Sequence, residues 1–257
     1  PMYTFAYLGI NGGMVFVSAD DPGMHSSQNE QDNRNYAKNM KIAMFEPSDS
    51  QESLDMIQEA YRVSEEYTVP VMMRMTTRVC HSKSLVTEGS RKDIKAKPYV
   101  KERDKMDAVP AISKIRRYFV EEREQKLKAY AEICPFNVEE MHDTKIGIIA
   151  AGAAYTYAKE ALGDSASYLK LGFTYPLPIE KIKTFAAKVD TLYVVEELDP
   201  FMEEIIHEAG ISCHGKDVIP KIDELNPNIV ATGILNQKAE GVQVPDTLFV
   251  PRPPALC

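Results

Sequence analysis

Short apolar runs alternate with stretches of helical spacing along most of the chain, and that alternation lays out the elements before any composition is counted. "GGMVFVSADD" is an apolar run closed by charged and turn residues, which predicts a buried strand, and residues Met40 to Phe45 predict a second. After "EPSDS", Asp49 and Glu52 form a capping box, and Leu54, Ile57 and Tyr61 recur on one face, so a helix should run to about Glu66. "VPVMMRMTTRV" follows as a strand, completing the strand, helix, strand order of a parallel α/β sheet.

Residues 84–110 turn to Lys, Arg, Asp and Glu with few apolar anchors, the pattern of an exposed connection. Ile112, Ile115, Phe119, Leu127, Tyr130 and Cys134 then recur at helical spacing, predicting a long amphipathic helix. "KIGIIAAG", "SYLKLGF" and "TLYVVEEL" read as strands separated by the helical "AAYTYAKEAL" and "IEKIKTFAAKV". Right-handed crossovers place these three strands in one parallel sheet. "PFMEEIIHEAG" is the next helix, with Asp199 as its N-cap ahead of Pro200, and the chain from Leu225 onward, without a sustained period, reads as a tail or strap. The fold class is therefore α/β, two parallel-sheet domains joined by a charged, partly helical linker.

Composition narrows the function classes. The 257 residues, 44% hydrophobic, suffice for two ordinary cores, and the net charge of −8 argues against a polyanion-binding surface, so no nucleic acid is expected. No run approaches the roughly 18 apolar residues of a membrane span and no leader opens the sequence, which predicts a cytoplasmic protein without a membrane partner. Cys80, Cys134, Cys213 and Cys257 lie far apart with no C-x-x-C pair, and the five histidines show no ligand spacing, so no metal site is expected. Pro1 at one end and "PRPPALC" at the other read as cut ends.

Candidate chemistry gathers in "SADDPGMHSSQNEQDNRNYA". Asp20, Asp21, His25, Ser26, Ser27, Gln28, Asn29, Gln31 and Arg34 crowd the end of a strand with few apolar neighbours. Amides and hydroxyls suit a neutral polar body, and Arg34 could clamp a carboxylate; a ligand site and a domain contact both fit. Arg74, Arg78 and His81, with Thr76 and Thr77, fit either an anion or a salt bridge. Glu196 and Glu197 end a strand where ligands often bind, but adjacent strand residues face opposite ways, so at most one enters a given cleft. "GIIAAGAAYTY" lacks the G-x-G-x-x-G spacing of a dinucleotide site and reads as a small-residue turn.

"GGMVFVSADDPGMHSSQNEQDNR", "EPSDSQE", "PVMMRMTTRVCHS", "LKLGFTYPLP", "VVEELDPFMEE" and "RPPALC", in this order, resemble the indolepyruvate ferredoxin oxidoreductase alpha-subunit family. The resemblance implies part of a thiamine-diphosphate-dependent 2-oxoacid:ferredoxin oxidoreductase that decarboxylates arylpyruvates to aryl-acetyl-CoA. It implies residues 1–87 as the later part of a pyrimidine-binding domain and 88–143 as the linker. Residues 144–225 would be a transketolase C-terminal-like domain, and 226–257 a tail toward a diphosphate-binding domain. Thiamine diphosphate, magnesium and [4Fe-4S] clusters belong to the full enzyme, with none expected on this piece alone, which should be inactive. Cys257 would open the next domain's cysteine run. Implied partners are a beta subunit, ferredoxin, coenzyme A, the arylpyruvate and a second copy of the chain. On this resemblance the loop from Asp20 to Arg34 borders the cofactor cleft and Arg34 meets the substrate carboxylate. A subunit specific for pyruvate or another 2-oxoacid, and a non-catalytic assembly module, are the alternative readings.

Overall fold

In the computed structural model, residues 1–91 and 94–237 are described. The first part of the chain forms α1 (Met2–Leu8), β1 (Val15–Asp20), α2 (Arg34–Met40), β2 (Ala43–Phe45), α3 (Ser50–Tyr67), β3 (Val71–Thr76) and the short α4 (Thr77–His81). Then come α5 (Arg103–Met106), α6 (Pro110–Ile133), β4 (Asn137–Glu140), β5 (Ile146–Ala151), α7 (Gly152–Leu162), β6 (Ser167–Leu171) and β7 (Phe173–Tyr175). The last elements are α8 (Ile179–Ala186), β8 (Thr191–Val195), α9 (Phe201–Glu208) and α10 (Pro227–Leu235).

Two four-stranded sheets result, ordered β1-β3-β2-β7 and β4-β6-β5-β8. In the first, β1, β3 and β2 are parallel and β7 joins antiparallel through Phe45 and Phe173; in the second, β6, β5 and β8 are parallel and β4 is the antiparallel edge. Both sheets are thus mixed rather than purely parallel. The βαβαβ order read from the sequence is present in the second.

Local rules account for much of this. Asp49 caps α3, its carboxylate accepting the Glu52 amide at 2.8 Å, and the Glu52 carboxylate reaches back to the amide and hydroxyl of Ser48. Ile149, Ala151, Leu169, Leu171 and Val194 face one apolar cluster while Ile148, Ala150, Tyr168 and Val195 face another, the period of two that a sheet covered on both sides requires.

Four expectations are corrected. β1 is an edge strand, not a buried one, and Val17 is 59% exposed. "SYLKLGF" is not one strand: Gly172 breaks it, and Phe173–Tyr175 crosses to the first sheet. A Cβ at Gly172 would stand 2.6 Å from the Phe136 Cβ and 2.9 Å from its backbone oxygen, so only glycine passes there. Residues 227–235, read as a strap, form α10, started by the Asn226 side chain accepting the Ile229 amide with Pro227 in the first turn, and Val230 is buried against α7. On α6, Ile115 and Phe119 are exposed, and Val120, Leu127, Tyr130 and Ala131 are its apolar buried face. Cys257 and "RPPALC" lie outside the described residues.

The larger apolar cluster runs through both sheets without a break, from Phe45, Met56 and Leu127 to Phe173, Phe185 and Ile206. The two sheets therefore share one core, and the ends of their strands meet at a polar joint. Among the described residues no helix is long and apolar enough to cross a membrane.

Candidate functional site

The parallel strands β1 and β3 end side by side, Asp20 opposite Thr76, and the loop from Asp21 to Asn33 springs from that end. Buried charge concentrates there. The Asp20 carboxylate accepts Arg74 Nε at 2.8 Å, the Asn33 amide at 2.9 Å and Asn33 Nδ2 at 2.7 Å. Arg74 Nη1 continues to Glu46 Oε2 at 2.7 Å. Burial would lower the Arg74 guanidinium, but Glu46 and Asp20 carry it above its ordinary value.

Arg34, 1% exposed, ties the first sheet to the second. Nε and Nη2 grip Asp32 at 2.7 and 2.6 Å, Nη1 donates to Glu196 at 2.5 Å, and Nη2 also reaches the carbonyls of Glu197 and Asp199 at 2.8 and 3.0 Å. Its plane lies 5.2 Å from the Phe201 ring centre. All three guanidinium nitrogens are engaged inside the protein, so Arg34, expected at a substrate carboxylate, stands here as an internal clamp. Burial opposes its charge, yet Glu196 and Asp32 hold the guanidinium well above its ordinary value.

Glu196 and Glu197 do face opposite ways, and both are structural. Glu196 accepts the amides of Met202 and Glu203 at 3.0 Å, capping α9 in place of Asp199, whose side chain makes no cap bond. Burial favours its neutral acid while Arg34 and those two amides favour the carboxylate; every neighbour being a donor, the carboxylate fits. Glu197 accepts the Leu225 amide at 3.1 Å, and burial pushes its carboxyl up against the pull of Arg74.

The loop is folded onto the second half of the chain. Asp21 accepts the amides of Ser26 and Ser27 at 2.9 and 3.0 Å and the Thr77 hydroxyl at 2.7 Å. Glu30 accepts the amides of Gly23 and Asp223 at 2.8 and 2.9 Å, and Glu224 pairs with both His25, at 3.2 Å, and Arg78. A Cβ at Gly23, whose φ is +77°, would meet the Glu224 amide nitrogen at 3.3 Å. Met24, His25, Gln28 and Asn29 form the exposed tip, and Gln31 is half-buried. So Asp20, Asp21 and Arg34 build the base, Ser26 and Ser27 lend it their amides, and His25, Gln28 and Asn29 are left facing solvent. Of the anion-site alternatives, Arg74 and Arg78 are in salt bridges and His81 is exposed.

Desolvation alone would raise Asp21, but the Ser26 amide, the Thr77 hydroxyl and the Ser27 amide outweigh it and hold the carboxyl well below the usual carboxylate range. A folded-state pKa below the unfolded one gives stability that is complete above the unfolded value near 3.9 and drains away as pH falls from there. The amides of Ser26 and Ser27 are therefore expected to lose hydrogen-exchange protection below about pH 4, and in Asp21→Ala at neutral pH as well. Protection unchanged in that variant would show that Asp21 does not hold the loop.

Three buried polar atoms at this end of the first sheet lack a partner: Glu46 Oε1, Arg74 Nη2 and Thr76 Oγ1. Glu46 faces the start of α7 at Gly152, whose φ is +54° and whose added Cβ would be 3.9 Å from Glu46 Oε2. Donor and acceptor capacity is thus left over beside the loop, which suits a polar ligand group or ordered water. Among the described residues no group of His, Cys, Asp or Glu is placed to hold a metal ion, and Cys80, Cys134 and Cys213 form no disulfide.

The profile of the pyruvate flavodoxin/ferredoxin oxidoreductase, thiamine diphosphate-binding family matches residues 18–146, half of the chain, beginning where β1 turns polar. The chain belongs to that family. Among curated relatives, the indolepyruvate oxidoreductase subunit IorA of Methanothermobacter marburgensis is 38% identical over 98% of this chain and 44% of that protein. The subunit of the same name from Pyrococcus horikoshii is 36% identical over 99% of this chain and 44% of its own length. The chain thus spans less than half the length of these relatives. A solved 2-oxoglutarate:ferredoxin oxidoreductase of Magnetococcus marinus shares the fold, with a TM-score of 0.61 at 12% identity, over 91% of this chain and 50% of that one. A split-gene transketolase follows at a TM-score of 0.50 and 14% identity, over 91% and 73%.

Within the family match fall Asp20, Asp32, Arg34, Glu46 and Arg74, the members of the ionic lattice that the first sheet supplies. Sequence reasoning missed Asp32 and Glu46. An arginine amid the apolar "VMMRM" of a central strand is a signal that buried carboxylates must be near, and Glu46 directly after β2 was the available partner.

Proposed function

We propose that this chain forms one wall of the thiamine diphosphate site in the alpha subunit of an indolepyruvate:ferredoxin oxidoreductase. The supporting observation is the loop from Asp21 to Asn33 at the carboxyl end of a parallel sheet. Its base is locked by Asp20, Asp21, Asp32 and Arg34, and its tip of Met24, His25, Gln28 and Asn29 is exposed. The relatives named indolepyruvate oxidoreductase supply the substrate class.

Thiamine diphosphate, when bound, supplies the nucleophilic carbon and electron sink for decarboxylating a 2-oxoacid. This chain orients and encloses. Gln28 and Asn29 offer neutral donors and acceptors to cofactor or substrate, and the unpartnered Glu46, Arg74 and Thr76 atoms give the same strand ends spare polar capacity. Arg34 positions the loop through Asp32 and Glu196; Arg78, half-exposed beside the tip and paired with Glu224, is the cation assigned here to the substrate carboxylate, which would compete with Glu224 for it. Magnesium, [4Fe-4S] clusters, a beta subunit, ferredoxin, coenzyme A and a second alpha chain belong to the complete enzyme, and the piece described is inactive by itself.

The test is the complete alpha and beta complex supplied with coenzyme A and ferredoxin. Indolepyruvate should be consumed with a kcat/KM at least about tenfold above that for pyruvate, the range a large apolar group in a fitted pocket gives. Equal or better use of pyruvate, or turnover independent of added thiamine diphosphate, would reject the reading.

A further inference from the structure

At the other end of the first sheet, away from the loop, lies a cavity. Thr68 precedes β3 while Arg74 and Thr76 end it, so the strand's length, on the order of 17–20 Å, separates the two places. A cavity of about 490 Å³ opens there between the end of α3 and the middle of α6. Its walls carry Lys105, Arg116, Arg123 and Lys126, with the rings of Tyr67 and Phe119 beside them.

Arg123 is only 6% exposed. Its Nη2 donates to the Ala6 carbonyl at 2.6 Å and its Nη1 reaches the Thr68 carbonyl at 3.4 Å, but Nε has no partner. Among the described residues no carboxylate lies within ion-pair distance of Arg123 or of Arg116, which donates to the Tyr7 carbonyl and stacks 4.4 Å from the Phe119 ring centre. The wall carboxylates and lysines are already paired, Glu122 with Lys126 at 2.7 Å, Glu66 with Arg62 and Lys105 with Glu102 at 3.7 Å, so Arg123 and Arg116 are the wall cations without an ion pair among the described residues. Burial first, and then the charge of Arg116, pull the Arg123 guanidinium down to about 10. The carbonyls at the ends of α1 and α3 supply partial negative charge, not a full counter-charge.

A buried guanidinium with a spare donor and a like-charged neighbour is a costly arrangement in the absence of an anion. Among the described residues the other deeply buried arginines are matched: Arg34 with Asp32 and Glu196, Arg74 with Asp20 and Glu46. We propose that the cavity between α3 and α6 binds a small phosphate-bearing anion, held by Arg123 and Arg116 and bordered by Lys105 and Lys126. This site is independent of the thiamine reading and lies on the opposite end of the sheet.

The experiment titrates the full chain at low ionic strength with inorganic phosphate and inorganic diphosphate by calorimetry, matched against chloride at equal ionic strength. The wild type should bind at least one of the two saturably, and Arg116→Gln, a change on the cavity rim, should bind about tenfold more weakly with an unchanged circular dichroism spectrum, the loss expected for one charge-assisted contact. Arg123→Gln should abolish binding; because it also removes the Ala6 contact, Arg116→Gln is the deciding variant. A double change of Gln28 and Asn29 to Ala should leave phosphate binding intact. Absence of saturable binding, equal affinity in Arg116→Gln, or loss of binding in the loop variant would each overturn the proposal, the last by placing the anion at the thiamine loop.

Discussion

Arg34→Met is expected to destabilise the chain by about 3–5 kcal/mol, the cost of removing one partner from a buried ion pair. Asp32 and Glu196 would then keep their burial and lose the guanidinium that both share, and the carbonyls of Glu197 and Asp199 would lose their donor. Arg34→Lys should recover little, since a single ammonium cannot grip both oxygens of Asp32 and still reach Glu196. Pairing Arg34→Met with Glu196→Gln should recover part of the loss, because one stranded charge disappears with its partner. Urea midpoints of the three variants decide it. If Arg34→Met leaves the midpoint in place and raises only the KM for the 2-oxoacid, Arg34 touches substrate and the clamp described above is wrong.

The same residues show what a sequence can reveal. Asp49 and Glu52 declared the start of α3 because a cap is a local agreement among four neighbours, and the apolar spacing of β5, β6 and β8 declared the second sheet in the same way. The loop from Asp20 to Arg34 declared itself polar and out of place in a core. Its partners did not: Arg34 and Glu196 are 162 residues apart, and Arg78 and Glu224 are 146 apart. No periodicity encodes such pairings. Where a local rule competed with a distant one, the local reading failed, as at α9. Asp199 has the right chemistry and place for a cap, but Glu196 at the end of β8 already points into the helix start, fixed there by Arg34. β7 was hidden for a related reason, being three residues whose pairing partner, β2, lies on the far side of the linker.

Phe173 carries the second large expectation, because it stands where the two sheets exchange a strand. It is fully buried, with edge contacts to Phe45 at 4.9 Å and Tyr130 at 5.1 Å, one from the first sheet and the other from α6. Phe173→Ala should cost about 3–5 kcal/mol, the range for emptying a buried aromatic position. Val17→Ala on the exposed edge of β1 should stay within about 0.5 kcal/mol. The effect should also spread. The carbonyl of Gly172 accepts the Glu46 amide at 2.9 Å, and the Asn137 side chain accepts the amides of Gly172 and Phe173, so the crossing is fastened to the residue that pairs with Arg74. With one apolar cluster running through both sheets, they should unfold together in guanidinium, tyrosine fluorescence and far-ultraviolet dichroism tracing one curve, which moves to lower denaturant in Phe173→Ala. Two separate transitions in the wild type, only one of them shifted by the variant, would mean that the halves are independent domains and that β7 is a decoration on the first sheet. A single shifted curve would mean that the polar joint holding the loop inherits its rigidity from an aromatic core shared by both sheets.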